Sequence, residues 1–101
     1  MTKNIFVLLA ATLASQALGA AEPGLPRPAA TTLAHACAGC HGTFGHSRHG
    51  TPVIAGRHET DFTKVMREFK YGQRASSIMN RIARGYADED FQELARFFRN
   101  Q

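Results

Sequence analysis

One short motif constrains this chain more than any other feature: the sequence Cys37-Ala38-Gly39-Cys40-His41, which holds both of its cysteines. Two thiols three positions apart lie about one turn apart on the same face of a helix, and the next residue offers an imidazole. This spacing is the attachment signature of c-type haem, in which both thiols add to the vinyl groups of one porphyrin. The motif therefore predicts one haem, held by Cys37 and Cys40, with His41 as the proximal iron ligand.

Three other uses of the cysteine pair are open from the motif alone. A reversible C-x-x-C redox pair usually belongs to a βαβ pattern, which this sequence does not show. A structural zinc site needs four ligands, usually from a second Cys or His cluster, and the chain has no third cysteine. A disulfide between the two cysteines is the third alternative, because an exported chain would meet an oxidising compartment.

The first 21 residues have the pattern of a targeting segment. Lys3 precedes an apolar run from Ile5 to Leu13, and Ala17-Leu18-Gly19 and Gly19-Ala20-Ala21 are both small-x-small cleavage sites. This pattern predicts a secretory signal peptide over residues 1–21, because a membrane span needs roughly 20 apolar residues. An uncleaved anchor helix is the alternative. After cleavage we expect no membrane span and a periplasmic protein, since bacteria attach haem covalently outside the cytoplasm.

The remaining chain of about 80 residues is short for a domain. Such a chain buries little surface and normally needs a staple or a cofactor, so a large apolar haem would supply part of its core. The sequence has 12 Lys and Arg against 8 Asp and Glu. This excess is too modest for nucleic-acid binding, which needs a denser basic stripe. No second C-x-x-C-H occurs, so a single haem is expected.

Hydrophobic spacing predicts short helices and no strand. Residues 22–30 contain three prolines and are expected to form a flexible leader before a haem domain over residues 31–101. Helices are expected at residues 31–40, 60–71, 77–84 and 88–100. The first would be capped by Thr31 or Thr32. The apolar faces of the second and last helices are expected to contain Phe62, Val65, Met66 and Phe69, and Phe91, Leu94, Ala95 and Phe98.

The order of these features resembles class I cytochrome c, in which a helix enters C-x-x-C-H and a P-x-[LI]-x-G loop, a methionine and an acid-opened helix follow. Pro52-Val53-Ile54-Ala55-Gly56 supplies the loop. The stretch from Ser77 to Tyr86, with Asp88-Glu89-Asp90, is similar to the haem subunit of flavocytochrome c sulfide dehydrogenase and its cytochrome c4-like relatives. Ala87 stands where that family often has a Ser or Thr cap. The resemblance implies an all-α fold of three to four short helices wrapped around one covalently bound haem.

The resemblance also implies roles for Pro52 and Met79. In that family the carbonyl of the proline accepts the Nδ1–H of the proximal histidine, so Pro52 is expected to orient His41. The second axial ligand is expected at Met79, which follows His41 by 38 residues in a loop-to-helix region. Met66 lies on an apolar helix face, where methionine is more often part of the core. Four histidines are further alternatives: His35, His46, His49 and His58.

A haem with His and Met ligands has no open iron position, which indicates electron transfer rather than substrate binding. The resemblance implies that the chain accepts electrons from an FAD-containing, sulfide-oxidising flavoprotein and passes them to other periplasmic carriers. It would then be a subunit of sulfide dehydrogenase that is not catalytic alone. A free-standing electron shuttle and a haem-free exported binding or thiol-redox domain are the alternatives. The basic residues from Arg57 to Arg84 form either an ordinary solvated surface or a rim that orients a partner.

Overall fold

The computed structural model describes residues 26–101, so the predicted signal peptide over residues 1–21 and the first part of the leader lie outside the described residues. Within this range the chain forms four α-helices, one short 3-10 turn and no strand. The elements are α1 (Ala30–His41), the 3-10 turn (Thr43–Gly45), α2 (Glu59–Lys70), α3 (Met79–Ala83) and α4 (Asp88–Arg99). The predicted all-α class is thus confirmed for this part of the chain.

The bounds of α3 differ most from those predicted, because the helix begins at Met79 rather than near residue 77. The preceding residue, Ile78, has φ −143° and ψ −23°, which is not helical. The hydroxyl of Ser76 accepts the backbone N–H of Asn80 at 3.0 Å. This side chain satisfies a first-turn donor that has no partner inside the helix, so the helix starts after it. The other three helices begin and end within one residue of their predicted bounds.

The predicted cap of α1 by Thr31 or Thr32 is wrong. The helix begins at Ala30, and Ala29 before it is extended and makes no side-chain hydrogen bond. The carbonyl of Ala29 accepts the N–H of Leu33 at 3.1 Å, so both threonines fall inside the first turn. Alanine has the highest helix propensity of all residues, which favours an earlier start without a side-chain cap.

The packed core is centred on α4. Among residues 26–101, eight apolar side chains are buried: Ala34, Phe62, Met66, Ala83, Phe91, Leu94, Ala95 and Phe98. The last four are the predicted apolar face of α4. On α2, Phe62 and Met66 are buried, whereas Val65 and Phe69 are half-buried. Phe62 stacks on Phe98 with ring centroids 5.7 Å apart. Both α1 and α2 therefore pack against α4, and α3 packs against α2.

The start of α4 has no capping side chain at Ala87, but charged side chains make hydrogen bonds and ion pairs at its first turn. Asp90 accepts the N–H of Ala87 at 2.8 Å. Its other carboxylate oxygen lies 3.0 Å from the guanidinium of Arg27, in the described part of the leader. Asp88 accepts a hydrogen bond from Lys70, the last residue of α2, at 2.9 Å. These contacts join the start of α4 to the leader and to the end of α2.

Candidate cofactor site

The last turns of α1 carry the two cysteines and the histidine of the motif. Cys37 is half-buried, Cys40 is exposed, and both are free thiols. The structure therefore does not contain the disulfide that the motif left open. Burial raises the pKa of the Cys37 thiol, which keeps it protonated near neutral pH. Two free thiols on one helix face can each form a thioether with one shared group.

His41 makes the contact that prepares an imidazole to bind a metal. Its Nδ1 lies 2.7 Å from the carbonyl oxygen of Pro52. A carbonyl oxygen only accepts, so Nδ1 carries a proton, and in the neutral imidazole the lone pair is then on Nε2. The hydrogen bond that the family resemblance implies is thus present, while the iron-binding role of His41 stays a prediction.

The loop over residues 52–56 is held in place through Gly45, the last residue of the 3-10 turn. The carbonyl of Gly45 accepts the N–H groups of Ile54 at 3.0 Å and Ala55 at 3.2 Å. Gly45 has φ +81°, and a Cβ there would lie within 3.0 Å of atoms of Ile54, Ala55 and Phe98. The last residue of the loop donates its N–H to the Phe98 carbonyl at 2.7 Å. The loop that presents its carbonyl to the histidine is therefore fixed between the 3-10 turn and the end of α4.

The two methionines proposed for the second axial position have different surroundings. Met66 is buried in the core on α2. Met79 is half-buried at the first position of α3. A thioether enclosed by protein atoms serves as core filler, so the burial of Met66 favours Met79 as the ligand. The histidine alternatives are all exposed: His35, His46, His49 and His58.

The turn after α3 lies close to the helix that carries the cysteines. Burial raises the pKa of the Tyr86 hydroxyl, and the nearby Cys37 and Asp90 raise it further. Lys70 donates to the carbonyl of Tyr86 at 2.8 Å, which fixes the backbone of this turn. The segment that begins at Met79 therefore returns towards α1 at Tyr86.

Most of the basic residues between Arg57 and Arg84 have partners within the chain. Four make ion pairs, at 2.7 to 3.6 Å: Lys64 with Glu68, Arg67 with Asp88, Lys70 with Asp88, and Arg74 with Glu68. Arg57 donates to the carbonyl of Val53 at 3.2 Å. Within residues 26–101, the structure gives Arg81 and Arg84 no acidic partner at ion-pair distance. Of the basic residues considered for a rim, Arg81 in α3 and Arg84 after it are therefore the two for which these residues supply no partner.

The residues present fit a large apolar cofactor with two thioether links. Two free thiols, an imidazole with Nδ1 engaged and a half-buried thioether are the donors that a c-type haem uses. Large aliphatic side chains are also exposed beside the predicted ligand positions. Val53 follows Pro52 and Ile78 precedes Met79, with 47% and 53% of their surface exposed. These uncovered side chains offer the surface that an apolar ring would cover.

Two further features are absent from residues 26–101. This part of the chain contains no group of three or more His, Cys, Asp or Glu residues that could hold a metal ion. None of its helices is long and apolar enough to cross a bilayer.

Comparison with known proteins reveals a clear similarity to the cytochrome subunit of sulfide dehydrogenase from Chlorobaculum tepidum. The two sequences are 40% identical over 68 residues. The aligned region covers 67% of this chain and 62% of that protein, so the chain spans less than two thirds of the relative's length. No protein-family profile matches the chain. The similarity confirms the resemblance predicted from the sequence, and together with the four helices it confirms a small all-α cytochrome c fold.

Proposed function

We propose that this chain, a relative of the cytochrome subunit of sulfide dehydrogenase, is an electron-transfer subunit that carries one covalently bound haem. The observation that carries the proposal is the hydrogen bond from His41 to the Pro52 carbonyl, on the helix that holds both free thiols. Histidines that bind metals almost always donate their second ring N–H to a carbonyl, a carboxylate or water. A thiol-redox pair would not require this arrangement.

Each residue of the site has one role in this proposal. Cys37 and Cys40 would each hold the porphyrin through a thioether bond, formed when sulfur and hydrogen add across one vinyl group. His41 would hold the iron through its imidazole, which Pro52 orients, and Met79 would hold it through its thioether sulfur. When bound, the haem supplies a one-electron iron couple. With an imidazole and a thioether of the chain on the iron, no position would be left for a substrate, and the chain alone would not be catalytic.

We further propose that the electrons come from an FAD-containing flavoprotein that oxidises sulfide, and leave to other periplasmic carriers. The printed name of the relative supports this, since that protein is a subunit of sulfide dehydrogenase. The surface of α3 supports it as well. It exposes Ile82 beside Arg81 and Arg84, which places an apolar side chain next to positive charge, as is common in protein interfaces.

The proposed location is the periplasm. Two features support it: the signal-peptide pattern of residues 1–21, which lie outside the described residues, and the need for haem attachment outside the bacterial cytoplasm. N-terminal sequencing of the exported protein would test the cleavage.

Covalent attachment can be tested by intact mass after expression with a haem-maturation system. We expect the mass of the processed polypeptide plus one haem, and haem staining that survives a denaturing gel. The double variant Cys37→Ser/Cys40→Ser should lose the stain, whereas the core variant Met66→Leu should keep it. A wild-type mass equal to the polypeptide alone would contradict the proposal and favour the haem-free thiol-redox alternative.

The flavoprotein partner can be tested by stopped-flow mixing with the candidate FAD subunit. Sulfide-dependent haem reduction is expected only when both subunits are present. No reduction with that partner, together with rapid exchange with ordinary periplasmic carriers, would support a free-standing electron shuttle instead.

A further inference from the structure

The segment between α2 and α3, residues 71–78, leads directly to the predicted ligand Met79. All eight of its residues are exposed, and it contains neither helix nor strand. A segment with no buried side chain gains little from packing, and such segments open easily. Its first residues are held by the Tyr71 hydroxyl on Asp88 and by the N–H of Gln73 on the Glu68 carbonyl. Its last residues are held by hydrogen bonds centred on Asn80.

The side chain of Asn80 uses both of its donors and its acceptor. Its Nδ2 donates to the carbonyl of Arg74 at 2.7 Å and to the carbonyl of Phe69 at 3.2 Å. Its Oδ1 accepts the hydroxyl of Ser76 at 2.5 Å. The orientation of the amide follows from these partners, because the two carbonyls can only accept. Aspartate could not make the two donor contacts, and alanine could make none.

These contacts join three parts of the chain to the start of α3. Phe69 lies in the last turn of α2, Arg74 lies in the middle of the 71–78 segment, and Ser76 lies near its end. The guanidinium of Arg74 in turn contacts Glu68 on α2 at 2.7 Å. Hydrogen bonding to Arg74 lowers the pKa of Glu68, which keeps this pair ionised at neutral pH. The segment is therefore folded back on α2, and the residue that closes it is the direct neighbour of Met79.

We infer that Asn80 is a positioning residue for Met79: its amide keeps the 71–78 segment closed and so holds the thioether in place for the iron. This inference rests on the proposed function, in which Met79 is the second axial ligand. A soft thioether binds ferric iron weakly, so an added nitrogen ligand replaces it whenever the segment opens. The fraction of open segment sets how fast and how tightly such a ligand binds.

The variant Asn80→Ala in the haem-loaded protein tests the inference. It should raise imidazole binding to the ferric protein by roughly tenfold or more in both rate and affinity, because the variant loses three side-chain hydrogen bonds, each of modest net strength. Amide hydrogen exchange in residues 71–80 should accelerate by a similar factor. The matched control is Asn100→Ala, which removes a side-chain hydrogen bond to the Arg96 carbonyl (3.0 Å) at the end of α4. That control should leave imidazole binding unchanged.

A purely structural role for Asn80 predicts a different result. Both variants would then shift the urea midpoint of unfolding, and imidazole binding to the folded protein would stay at the wild-type level. If Asn80→Ala binds imidazole like Asn100→Ala, the inference is overturned while Met79 still stands as the ligand. If the ferric wild-type protein lacks the near-infrared charge-transfer band of a methionine-iron bond, the proposed ligand itself fails, and the inference fails with it.

A milder variant covers the case in which Asn80→Ala does not fold. Ser76→Ala removes only the contacts of the Ser76 hydroxyl and keeps both carbonyl partners of the Asn80 amide. It should accelerate imidazole binding in the same direction and by a smaller factor. No acceleration in this variant would also overturn the inference.

Discussion

At the scale of single residues, the hydrogen bond of His41 is the contact that most clearly prepares the site. The 2.7 Å hydrogen bond to Pro52 fixes the position of the ring proton as well as the orientation of the ring. An imidazole held in this way loses little conformational freedom when it binds a metal. The hydrogen bond from its Nδ1–H to a carbonyl also makes the other ring nitrogen a more basic ligand. The same reasoning applies to Met79, whose side chain has three rotatable bonds and no polar contact of its own.

The first prediction separates the two methionines. Met79→Ala should abolish the near-infrared methionine-iron band of the ferric protein and lower the reduction potential, because a thioether ligand favours reduced iron. Met66→Leu should keep the band, since it is a nearly volume-conserving change in the core that costs under about 1.5 kcal/mol. Visible and near-infrared spectra with potentiometric titration measure both effects. Loss of the band in Met66→Leu and its retention in Met79→Ala would reverse the assignment.

The second prediction concerns Gly45, whose backbone supports the Pro52 loop. Gly45→Ala should lower the free energy of unfolding by about 2 to 4 kcal/mol, because left-handed strain adds to a steric clash. The clash is with atoms of Ile54, Ala55 and Phe98 that lie under 3.0 Å from the added Cβ.

Gly50→Ala is the matched control for Gly45→Ala. Gly50 also has a positive φ, at +80°, but has nothing within 4 Å of the added Cβ. It should therefore lose only about 1 kcal/mol. If urea unfolding shows the same loss of free energy of unfolding in both variants, backbone strain alone accounts for the loss and the contacts of Gly45 do not contribute to it.

At the scale of elements, the sequence predicted what depends on periodicity and missed what depends on particular contacts. The faces of α2 and α4 follow from apolar residues at helical spacing, so their positions were predictable. The late start of α3 depends on one hydroxyl, that of Ser76, and no apolar pattern marks it. The sequence also does not show which loop glycine packs against Phe98. Gly45 and Gly50 both lie in the same glycine-rich loop, and only the folded structure distinguishes their surroundings. Asn80 was likewise one polar residue among several near Met79.

The junction of α2 and α4 is the element contact with a predictable pH dependence. Asp88 accepts hydrogen bonds from Lys70 at 2.9 Å and from the Tyr71 hydroxyl at 3.0 Å. The hydrogen bond from Lys70, followed by that from Tyr71, lowers the pKa of Asp88 below its ordinary value of 3.8. A lowered pKa in the folded state means that the stabilisation is present above 3.8 and is lost as the pH falls through the lowered value.

The third prediction follows from this sign. Asp88→Asn should be less stable than wild type at neutral pH, and the difference should shrink as the pH is lowered below 3.8. Glu93→Gln on the same helix is the control, since it makes the same charge change at a largely exposed ion pair with Arg96. Such a pair contributes under about 1 kcal/mol, so the control should lose little free energy of unfolding at any pH. A loss in Asp88→Asn that stays constant across this pH range would exclude the ionic contribution.

At the scale of the whole molecule, α3 and the residue after it combine an exposed apolar side chain with positive charge. Ile82 is exposed, and Arg81 and Arg84 have no acidic partner within residues 26–101. The net charge of the chain is +4, which is a weak basis for a complex held by charge alone. A dedicated subunit that stays bound during turnover therefore needs the apolar part of this surface.

The fourth prediction concerns the proposed flavoprotein complex. Ile82→Glu should weaken binding by about tenfold or more, as expected for a charge placed at an apolar anchor. Gln92→Glu introduces the same charge at an exposed position on α4 and should leave binding nearly unchanged. Binding of the wild-type subunit, measured by calorimetry, should depend only weakly on salt. A steep fall in affinity with rising ionic strength would instead show that the arginines dominate docking, because exposed charges are screened beyond about 8 Å at physiological salt.

Helix α1 contributes little to the buried core, and this affects how haem would be attached to it. Only Ala34 of its 12 residues is buried, although this helix carries both thiols. A helix with so few buried residues can separate from α4 at low free-energy cost. Under the proposed function, enzymes that attach haem would therefore reach both sulfurs even after the aromatic core has assembled, so haem attachment would not have to precede folding. The two proposed thioether bonds would then join this sparsely buried helix covalently to its cofactor.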